Sequence, residues 1–148
     1  MTSSIVIRAV PVEETRPLRR AVLRPQQHVS ELVYPGDDDP QTRHFAAFAG
    51  DEMVGIASVY HQPQPGNDDQ SAWRLRAMAT VDHVRGEGIG GRLLNACIEY
   101  AIRNGANLVW CNARTSALWF YEHYGFAQNG DEFDIPGIGP HYVMIKSL

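Results

Sequence analysis

The spacing of apolar residues changes along this chain in a way that predicts strands and helices in alternation. Alternating or continuous apolar runs of strand length occupy residues 5–10, 44–49, 53–61, 72–80, 106–111, 126–128 and 142–146. Helical spacing and helix-boundary residues mark 13–23, 88–104 and 116–124. Gly50-Asp51 predicts a hairpin turn between two strands. This order predicts an α/β (α+β) fold, a mixed sheet with helices on both faces.

Segments rich in proline, glycine and polar residues connect these elements. Residues 29–40 include the acidic run Asp37-Asp38-Asp39. We expect a solvated loop there, with a cation site or an attraction for a basic substrate as the alternatives. Residues 62–70 form a second polar loop. Residues 132–142 hold two prolines and two glycines, which predicts a shaped loop and not a regular strand.

Composition and charge limit the class of protein. The chain of 148 residues, 44% hydrophobic and 20% charged, suits one globular domain over residues 1–148. A net charge of −4 argues against nucleic acid or an anionic membrane as a partner. No apolar stretch approaches the roughly 18 residues of a membrane span. Because residues 1–14 do not resemble a signal peptide, we expect a cytoplasmic protein.

Cysteine and histidine give no sign of a disulfide or a metal site. Cys97 and Cys111 both lie in apolar segments, so we expect buried reduced thiols. The six histidines are scattered, without the short spacing typical of metal ligands. We therefore expect no metal.

The clearest functional signal is a glycine-rich turn at residues 84–94, Val-Arg-Gly-Glu-Gly-Ile-Gly-Gly-Arg-Leu-Leu. It lies between a predicted strand and a predicted helix, where backbone N–H groups are unpaired and the helix dipole is positive. Such a turn suits a phosphate; the alternative is a connection without a ligand. Its spacing departs from the dinucleotide-binding Gly-x-Gly-x-x-Gly, and it lacks the Gly-Lys-Ser/Thr ending of a P-loop. A nucleotide-binding protein is thus a distant alternative.

Three segments, in order, resemble the GNAT superfamily of acetyl-CoA-dependent N-acetyltransferases. Arg85-Gly86-Glu87-Gly88-Ile89-Gly90 matches the family's pyrophosphate signature, Arg/Gln-x-x-Gly-x-Gly/Ala. Val109-Trp110-Cys111-Asn112 resembles the next strand with its usual asparagine. The segment from Ala117 to Phe126 resembles the last helix and the start of the strand after it. The matches cover residues 72–127, about half of the chain.

The resemblance implies a GNAT domain whose two central parallel strands splay apart around acetyl-CoA, the acyl-donor substrate. It implies acetyl transfer to a primary amine by direct attack, and Tyr121 aligns with the family's general acid, although a core aromatic is the alternative. Arg92 either adds charge to the donor site or is a solvated helix residue. The residues implied to bind acetyl-CoA are Met78, Ala79, Thr80, Arg85, Gly86, Glu87, Gly88, Ile89, Gly90, Gly91 and Asn112.

The general base is not assigned by the resemblance. The strand before the turn has no acid, so the candidates are His61, Asp82 and His141, with an ordered water relay as the alternative. Asp82 also departs from the family, which often has proline at that position. Cys111 has no activating histidine nearby in sequence, which argues against a covalent acyl-enzyme.

The acceptor is a small-molecule or peptide amine that the sequence does not identify, and a homodimer is compatible with the family. By strand alternation Arg74 and Arg76 share a face with Met78, either as a solvated face or to meet an acceptor carboxylate. Residues 132–142 resemble the hairpin that closes the acceptor side. We expect His141 and Tyr142 to point toward the cleft and Phe133 and Ile138 to shape the pocket, with sheet closure alone as the alternative.

Two functional alternatives share the fold. One is a non-catalytic acyl-CoA-binding or regulatory module. The other is an acyltransferase that uses a different acyl-CoA, such as succinyl-CoA.

Overall fold

The computed structural model describes residues 4–148. Its strands are β1 (Ile5–Ala9), β2 (Arg43–Ala49), β3 (Glu52–Tyr60), β4 (Ala72–Thr80), β5 (Leu108–Arg114), β6 (Ala127–Gln128), β7 (Phe133–Ile135) and β8 (Gly139–Ser147). Its α-helices are α1 (Val12–Leu18), α2 (Ile89–Arg103) and α3 (Leu118–His123). A π-helical turn covers Arg19–Leu23, and 3₁₀ turns cover Val29–Glu31, Asp82–Val84 and Thr115–Ala117. In the described part of the chain no helix has the length and apolar character needed to span a membrane.

The strands form one mixed sheet in the order β1-β2-β3-β4-β5-β8-β6, with β7 paired to β8. β4 and β5 are parallel, and α2 supplies the crossover that a parallel pair requires. The pairs β1–β2, β2–β3 and β5–β8 are antiparallel. The predicted mixed sheet with a parallel pair is therefore confirmed. The splay of that pair stays a prediction.

Contacts divide the chain into two compact units, and the first contains residues up to Tyr60 together with Leu75–Tyr100. In it, Ile56 of β3 belongs to a buried cluster onto which side chains of α1 and the π turn pack, namely Leu18, Val22 and Leu23. The preceding residue, Gly55, faces Leu93 of α2. Because neighbouring strand residues point to opposite faces, α1 and α2 cover opposite faces of β3. This confirms the prediction of helices on both faces.

The second unit contains His61–Arg74 and Ala101–Leu148, and β8 is its longest strand. β8 pairs with the whole length of β5, from Leu108 opposite Ser147 to Arg114 opposite His141. β8 also pairs with β6 and β7. Trp110 is buried, and its indole Nε1 donates to the carbonyl of Gln62 at 2.8 Å. Lys146 Nζ donates to the Tyr124 carbonyl at 2.6 Å, which satisfies a backbone oxygen at the end of α3.

Several element boundaries differ from the predictions, and those of the first helix and of β5 have a clear physical reason. The helix predicted over 13–23 is α-helical only to Leu18, and it contains Pro17, which has no N–H to donate. Beyond it the Arg24 N–H reaches back to the carbonyls of Arg19 and Arg20 at 3.0 and 3.3 Å, the wider spacing of a π turn. β5 begins and ends later than predicted because Asn112, Ala113 and Arg114 pair with β8.

The prediction that residues 132–142 contain no regular strand is wrong. β7 and the first residues of β8 form an antiparallel hairpin, with Phe133 opposite His141 and Ile135 opposite Gly139. The Ile138 N–H closes the turn on the Ile135 carbonyl at 2.9 Å. The prolines and glycines therefore shape a tight hairpin and do not prevent pairing.

Candidate active site

The glycine-rich turn connects β4 to α2 as predicted. The Val81 N–H donates to the Val54 carbonyl of β3 at 2.9 Å, which fixes the exit of β4. A 3₁₀ turn follows, and the Arg92 N–H donates to the Gly88 carbonyl at 3.2 Å as the first bond of α2. The turn thus lies between two elements of the first compact unit and leads directly into the N-terminus of the 15-residue α2.

Five backbone N–H groups of this turn have no hydrogen-bond partner among residues 4–148. They belong to Gly86, Gly88, Ile89, Gly90 and Gly91. The Glu87 N–H, between them, donates to the Val84 carbonyl at 3.3 Å. Unpaired donors at a helix N-terminus, where the dipole is positive, form a site suited to a phosphate anion.

Glycine is required at two positions of the turn by backbone conformation. Gly86 has φ +89° and Gly88 has φ +79°, in the left-handed region that other residues enter at a cost of roughly 1–2 kcal/mol. A Cβ on either residue would meet no protein atom within 4 Å. The protein surface beside the unpaired N–H groups is therefore open.

The position of α2 depends on a close approach at Gly55. A Cβ at this residue would lie 2.8 Å from Leu93 Cδ1 and 3.3 Å from both the Ala79 carbonyl oxygen and Thr80 Cγ2. A Cβ at this position would require the Leu93 side chain to turn aside and the Ala79 carbonyl to shift by a few tenths of an ångström. Gly55 thus allows β3 to pack closely against α2 and the end of β4.

β4 is interrupted just before its expected donor-binding residues. Ala77 has φ +58°, the one positive value at a non-glycine residue in the described part of the chain. A left-handed residue breaks the two-residue alternation of a strand. The regular alternation of side chains therefore does not extend past Ala77. The prediction that Met78 shares a face with Arg74 and Arg76 assumed that alternation and is wrong for this reason.

Charged residues beside the turn are paired with one another. Arg85 Nη1 lies 2.7 Å from Asp82 Oδ1, and its Nη2 donates to the Thr80 carbonyl at 3.4 Å. Both side chains are more than half exposed. Arg92 Nη2 donates to the Ile5 carbonyl at 3.0 Å. Asp82, which stands where the family often has proline, therefore pairs with Arg85 of the glycine-rich signature.

Tyr121, the predicted general acid, lies on α3 in the second compact unit. Its ring contacts Phe120 and Phe126 edge-to-face, with centroids 5.1 and 5.5 Å apart. Its backbone carbonyl accepts from the Phe126 N–H at 3.0 Å and so joins the helix end to the next segment. The residue is half-buried.

Asn112 and His141 lie on one face of the β5–β8 pair. Asn112 is opposite Val143, and Arg114 is opposite His141, so the four side chains share a face by strand geometry. Tyr142 follows His141 directly in β8 and therefore points to the other face. The prediction that His141 and Tyr142 both point toward one cleft is wrong for this reason.

The three base candidates differ in their partners. Asp82 is exposed and paired with Arg85. His61 stacks on Trp73, with ring centroids 4.7 Å apart, and its Nε2 donates to the Gln70 carbonyl. His141 is 3% exposed, and its Nδ1 donates to the Gly139 carbonyl at 2.8 Å, so its Nε2 is the nitrogen that can accept a proton.

The two cysteines are buried and free, as predicted. Burial raises the pKa of the Cys111 thiol to about 12, with a small opposing effect of Arg74. Because the thiolate is the nucleophilic form, Cys111 is a poor candidate for a covalent intermediate.

A buried polar cluster, which we call the Arg19–Asp37 cluster, was not predicted. It contains Arg19, Asp37, His44, Ser58 and Tyr60, all buried. Arg19 donates to both carboxylate oxygens of Asp37 at 2.8 and 3.1 Å, and the Tyr60 hydroxyl donates to Asp37 at 2.6 Å. The expectation of a solvated acidic loop is therefore wrong for Asp37, while Asp38 and Asp39 are exposed.

Comparison with known proteins assigns the family. A family model described as an acetyltransferase (GNAT) domain matches residues 16–148. The protein named "Uncharacterized N-acetyltransferase YitI" from Bacillus subtilis (strain 168) is 36% identical over 142 residues, which cover 96% of this chain and 95% of that protein. The chain therefore belongs to the GNAT acetyltransferase family.

Solved structures agree with this fold. Escherichia coli ElaA superposes with a TM-score of 0.80 at 19% identity and covers 97% of this chain and 100% of its own. An aminoglycoside 6'-N-acetyltransferase complexed with coenzyme A superposes with a TM-score of 0.74 at 18% identity and 96% coverage of each chain. The predictions of the GNAT family and of its fold are confirmed.

Proposed function

We propose that this protein transfers an acetyl group from acetyl-CoA to a primary amine by direct attack of the amine on the thioester. The observation that carries this proposal is the row of five unpaired N–H groups at Gly86 and at residues 88–91, placed at the start of α2. Membership of an acetyltransferase family and a structural relative complexed with coenzyme A support the same donor.

In this proposal the turn binds the pyrophosphate of the donor. Main-chain N–H groups and the α2 dipole supply positive potential without a mobile side chain. Arg85 adds charge, and Asp82 holds its guanidinium near the end of β4. Backbone groups of Met78, Ala79 and Thr80, and the Asn112 amide, are the proposed contacts of the pantetheine and thioester, as in the family.

The chemistry needs one proton to leave the amine and one to reach the sulfur. The amine nitrogen forms a bond to the thioester carbon, and the carbon–sulfur bond then breaks. The Tyr121 hydroxyl donates a proton to the leaving thiolate, as a neutral phenol can.

We assign the base to His141, with an ordered water as the alternative. The Gly139 carbonyl accepts from Nδ1, so Nε2 carries the lone pair in the neutral ring. His141→Gln keeps a polar side chain but cannot take a proton, and it is expected to lower kcat about 100-fold and to remove one limb of the pH–rate profile. An unchanged profile would favour the water relay.

The donor site is tested first by melting temperature with acetyl-CoA, free coenzyme A, succinyl-CoA and ATP. Acetyl-CoA at 100 times its Kd stabilises the fold by about 2.7 kcal/mol, a rise of roughly 5–10 °C. A rise with acetyl-CoA and not with ATP supports the proposal. An equal rise with succinyl-CoA would favour the alternative donor, and no rise with any coenzyme A ester would refute the donor site.

A matched pair of variants separates ligand contact from backbone strain. Gly88 and Gly66 both have φ +79° and no atom within 4 Å of an added Cβ. Gly88→Ala and Gly66→Ala therefore carry similar strain, roughly 1–2 kcal/mol. Only Gly88→Ala is expected to weaken acetyl-CoA binding, by at least tenfold in calorimetry. Equal affinities in the two variants would refute the role of the turn.

The catalytic role of Tyr121 has its own control. Tyr121→Phe is expected to lower kcat about 100-fold and to leave the Kd of acetyl-CoA unchanged, since only a proton donor is lost. Tyr124→Phe, in the same aromatic group, is expected to retain activity. A non-catalytic module would instead bind acetyl-CoA and release no thiol with any amine.

A further inference from the structure

Arg76 of β4 is a half-buried cation without an anionic partner. No hydrogen bond or ion pair joins its guanidinium to any other residue in 4–148. The Tyr34 ring lies against it, with the ring centroid 4.0 Å from the guanidinium carbon. A guanidinium has five N–H donors, and none of those of Arg76 is used by residues 4–148.

Tyr34 is held in place by the Arg19–Asp37 cluster. Its backbone N–H donates to Asp37 Oδ2 at 2.8 Å, and the Arg19 guanidinium carbon lies 4.3 Å from its ring centroid. The Tyr34 ring therefore contacts two guanidinium groups. Stacking on an aromatic ring fixes the plane of a guanidinium and leaves its N–H edge available.

The local charge is not balanced. Asp37 neutralises Arg19, because both of its carboxylate oxygens accept hydrogen bonds from that guanidinium. Burial lowers the pKa of His44, against a weaker opposing effect of the Asp37 carbonyl, so this ring is neutral at pH 7. Burial raises the pKa of Tyr60, which stays neutral as well. Arg19, Asp37 and Arg76 thus sum to one positive charge.

We propose that the acceptor amine carries a carboxylate and that Arg76 binds it. This inference rests on the proposed acetyl transfer, and it names the acceptor as an amino-acid-like molecule, including a peptide with a free C-terminus. A guanidinium binds a carboxylate through two parallel N–H···O bonds. The open N–H edge of Arg76 therefore suits a carboxylate better than a neutral group.

The position of Arg76 in β4 suits this role. It precedes Met78 by two residues and Thr80 by four, so the separations are at most roughly 7 and 13 Å, the values for a fully extended strand. Those residues are the proposed contacts of the thioester. In this proposal a carboxylate at Arg76 leaves the amine of a small acceptor within reach of the acetyl group, and Ala77, with φ +58°, lies between Arg76 and those contacts.

The test uses matched acceptors that differ only in the carboxylate. Each of the common α-amino acids and a set of dipeptides is compared with its C-terminal amide, with thiol release from acetyl-CoA as the readout. The amide has the less basic amine, so intrinsic reactivity at neutral pH favours it, and a preference for the acid reports binding. We expect kcat/KM to be about 10- to 100-fold higher for the acid.

Arg76→Gln is expected to remove this preference, mainly through a higher KM for acids, with amide rates and acetyl-CoA affinity unchanged. Arg76→Lys keeps the positive charge but lacks the planar pair of N–H donors. Its preference for acids is expected to lie between that of the unaltered protein and that of Arg76→Gln. Arg103→Gln, an exposed arginine at the end of α2, is the control and retains the preference. A preference for acids that is retained in Arg103→Gln and lost in Arg76→Gln supports the inference.

Three results would overturn it. The first is equal use of acids and amides, and the second is an acid preference that persists in Arg76→Gln. The third is a melting shift with acetyl-CoA and acetylation of none of the acids, in which case the donor site stands and this acceptor class falls. Failure of acetyl-CoA itself to bind is a different outcome, because it refutes the proposed function.

Discussion

Replacing Asp37 with alanine is expected to destabilise the protein strongly, because it leaves Arg19 as an uncompensated buried charge. Arg19 is 0% exposed, and Asp37 is 4% exposed. The carboxylate accepts two bonds from Arg19, one from the Tyr60 hydroxyl and one from the Tyr34 N–H, at 2.6–3.1 Å. Burial alone would raise the pKa of Asp37, but these hydrogen bonds hold it below its usual value.

The magnitude follows from the burial and the number of bonds. Removing one partner of a buried, hydrogen-bonded ion pair costs about 3–5 kcal/mol. Total stabilities of domains are about 5–15 kcal/mol, so Asp37→Ala approaches the limit of folding. At about 2–4 °C per kcal/mol for a chain of this length, the melting temperature is expected to fall by roughly 6–20 °C. Asp37→Asn keeps one acceptor oxygen, so its melting temperature is expected to fall by less than that of Asp37→Ala.

Urea unfolding followed by circular dichroism measures the effect, with the slope m as a check on two-state behaviour. Asp38→Asn is the control, since Asp38 is exposed in the same loop, and its effect is expected to stay within about 0.5 kcal/mol. Arg19→Met in the Asp37→Ala background removes the unpaired charge and is expected to recover part of the loss. Equal stabilities of Asp37→Ala and Asp38→Asn would refute the reasoning.

Three further predictions concern other parts of the molecule. Gly55→Ala is expected to cost about 1–3 kcal/mol in urea unfolding and to weaken acetyl-CoA binding in calorimetry, since the added Cβ displaces the Leu93 side chain of α2 and the Ala79 carbonyl at the end of β4. The pKa of His44 is lowered in the folded state from its ordinary value of 6.5. Its contribution to the free energy of unfolding is therefore complete above pH 6.5 and decreases as the pH falls below 6.5, by at most about 1.4 kcal/mol per pH unit. His44→Gln removes that slope in unfolding measured from pH 7 to pH 5. Cys111→Ala is expected to retain activity within about twofold; a loss above 100-fold would indicate a covalent route.

The segment from β4 through the glycine-rich turn to α2 was predictable because its signals are local. A strand, a glycine turn and a helix follow one another in sequence, and the structure places β4 at Ala72–Thr80 and α2 at Ile89–Arg103, within one residue of the predicted bounds. Left-handed φ values at Gly86 and Gly88 agree with the requirement for glycine there. Local sequence determines these features, so a single sequence is enough to predict them.

The Arg19–Asp37 cluster was not predictable because its members are far apart in the chain. Arg19 and Asp37 are separated by 18 residues, and Arg19 and Tyr60 by 41. Three consecutive acidic residues usually indicate a solvated loop, and two of the three here are indeed exposed. The left-handed Ala77 has no sequence signal either, since alanine seldom adopts this conformation.

If Arg76 binds the acceptor as proposed, one loop connects stability with acceptor recognition. The bonds that Asp37 makes to Arg19 and to the Tyr34 N–H fix the segment on which Arg76 stacks. Weakening that anchor releases Tyr34, and Arg76 then loses the ring that orients its N–H edge. Asp37→Asn is therefore expected to reduce the preference for carboxylate acceptors at temperatures well below its melting point. Loss of selectivity before loss of folding would identify the buried ion pair as a support of the acceptor site, whereas a purely structural cluster would leave selectivity intact until the protein unfolds.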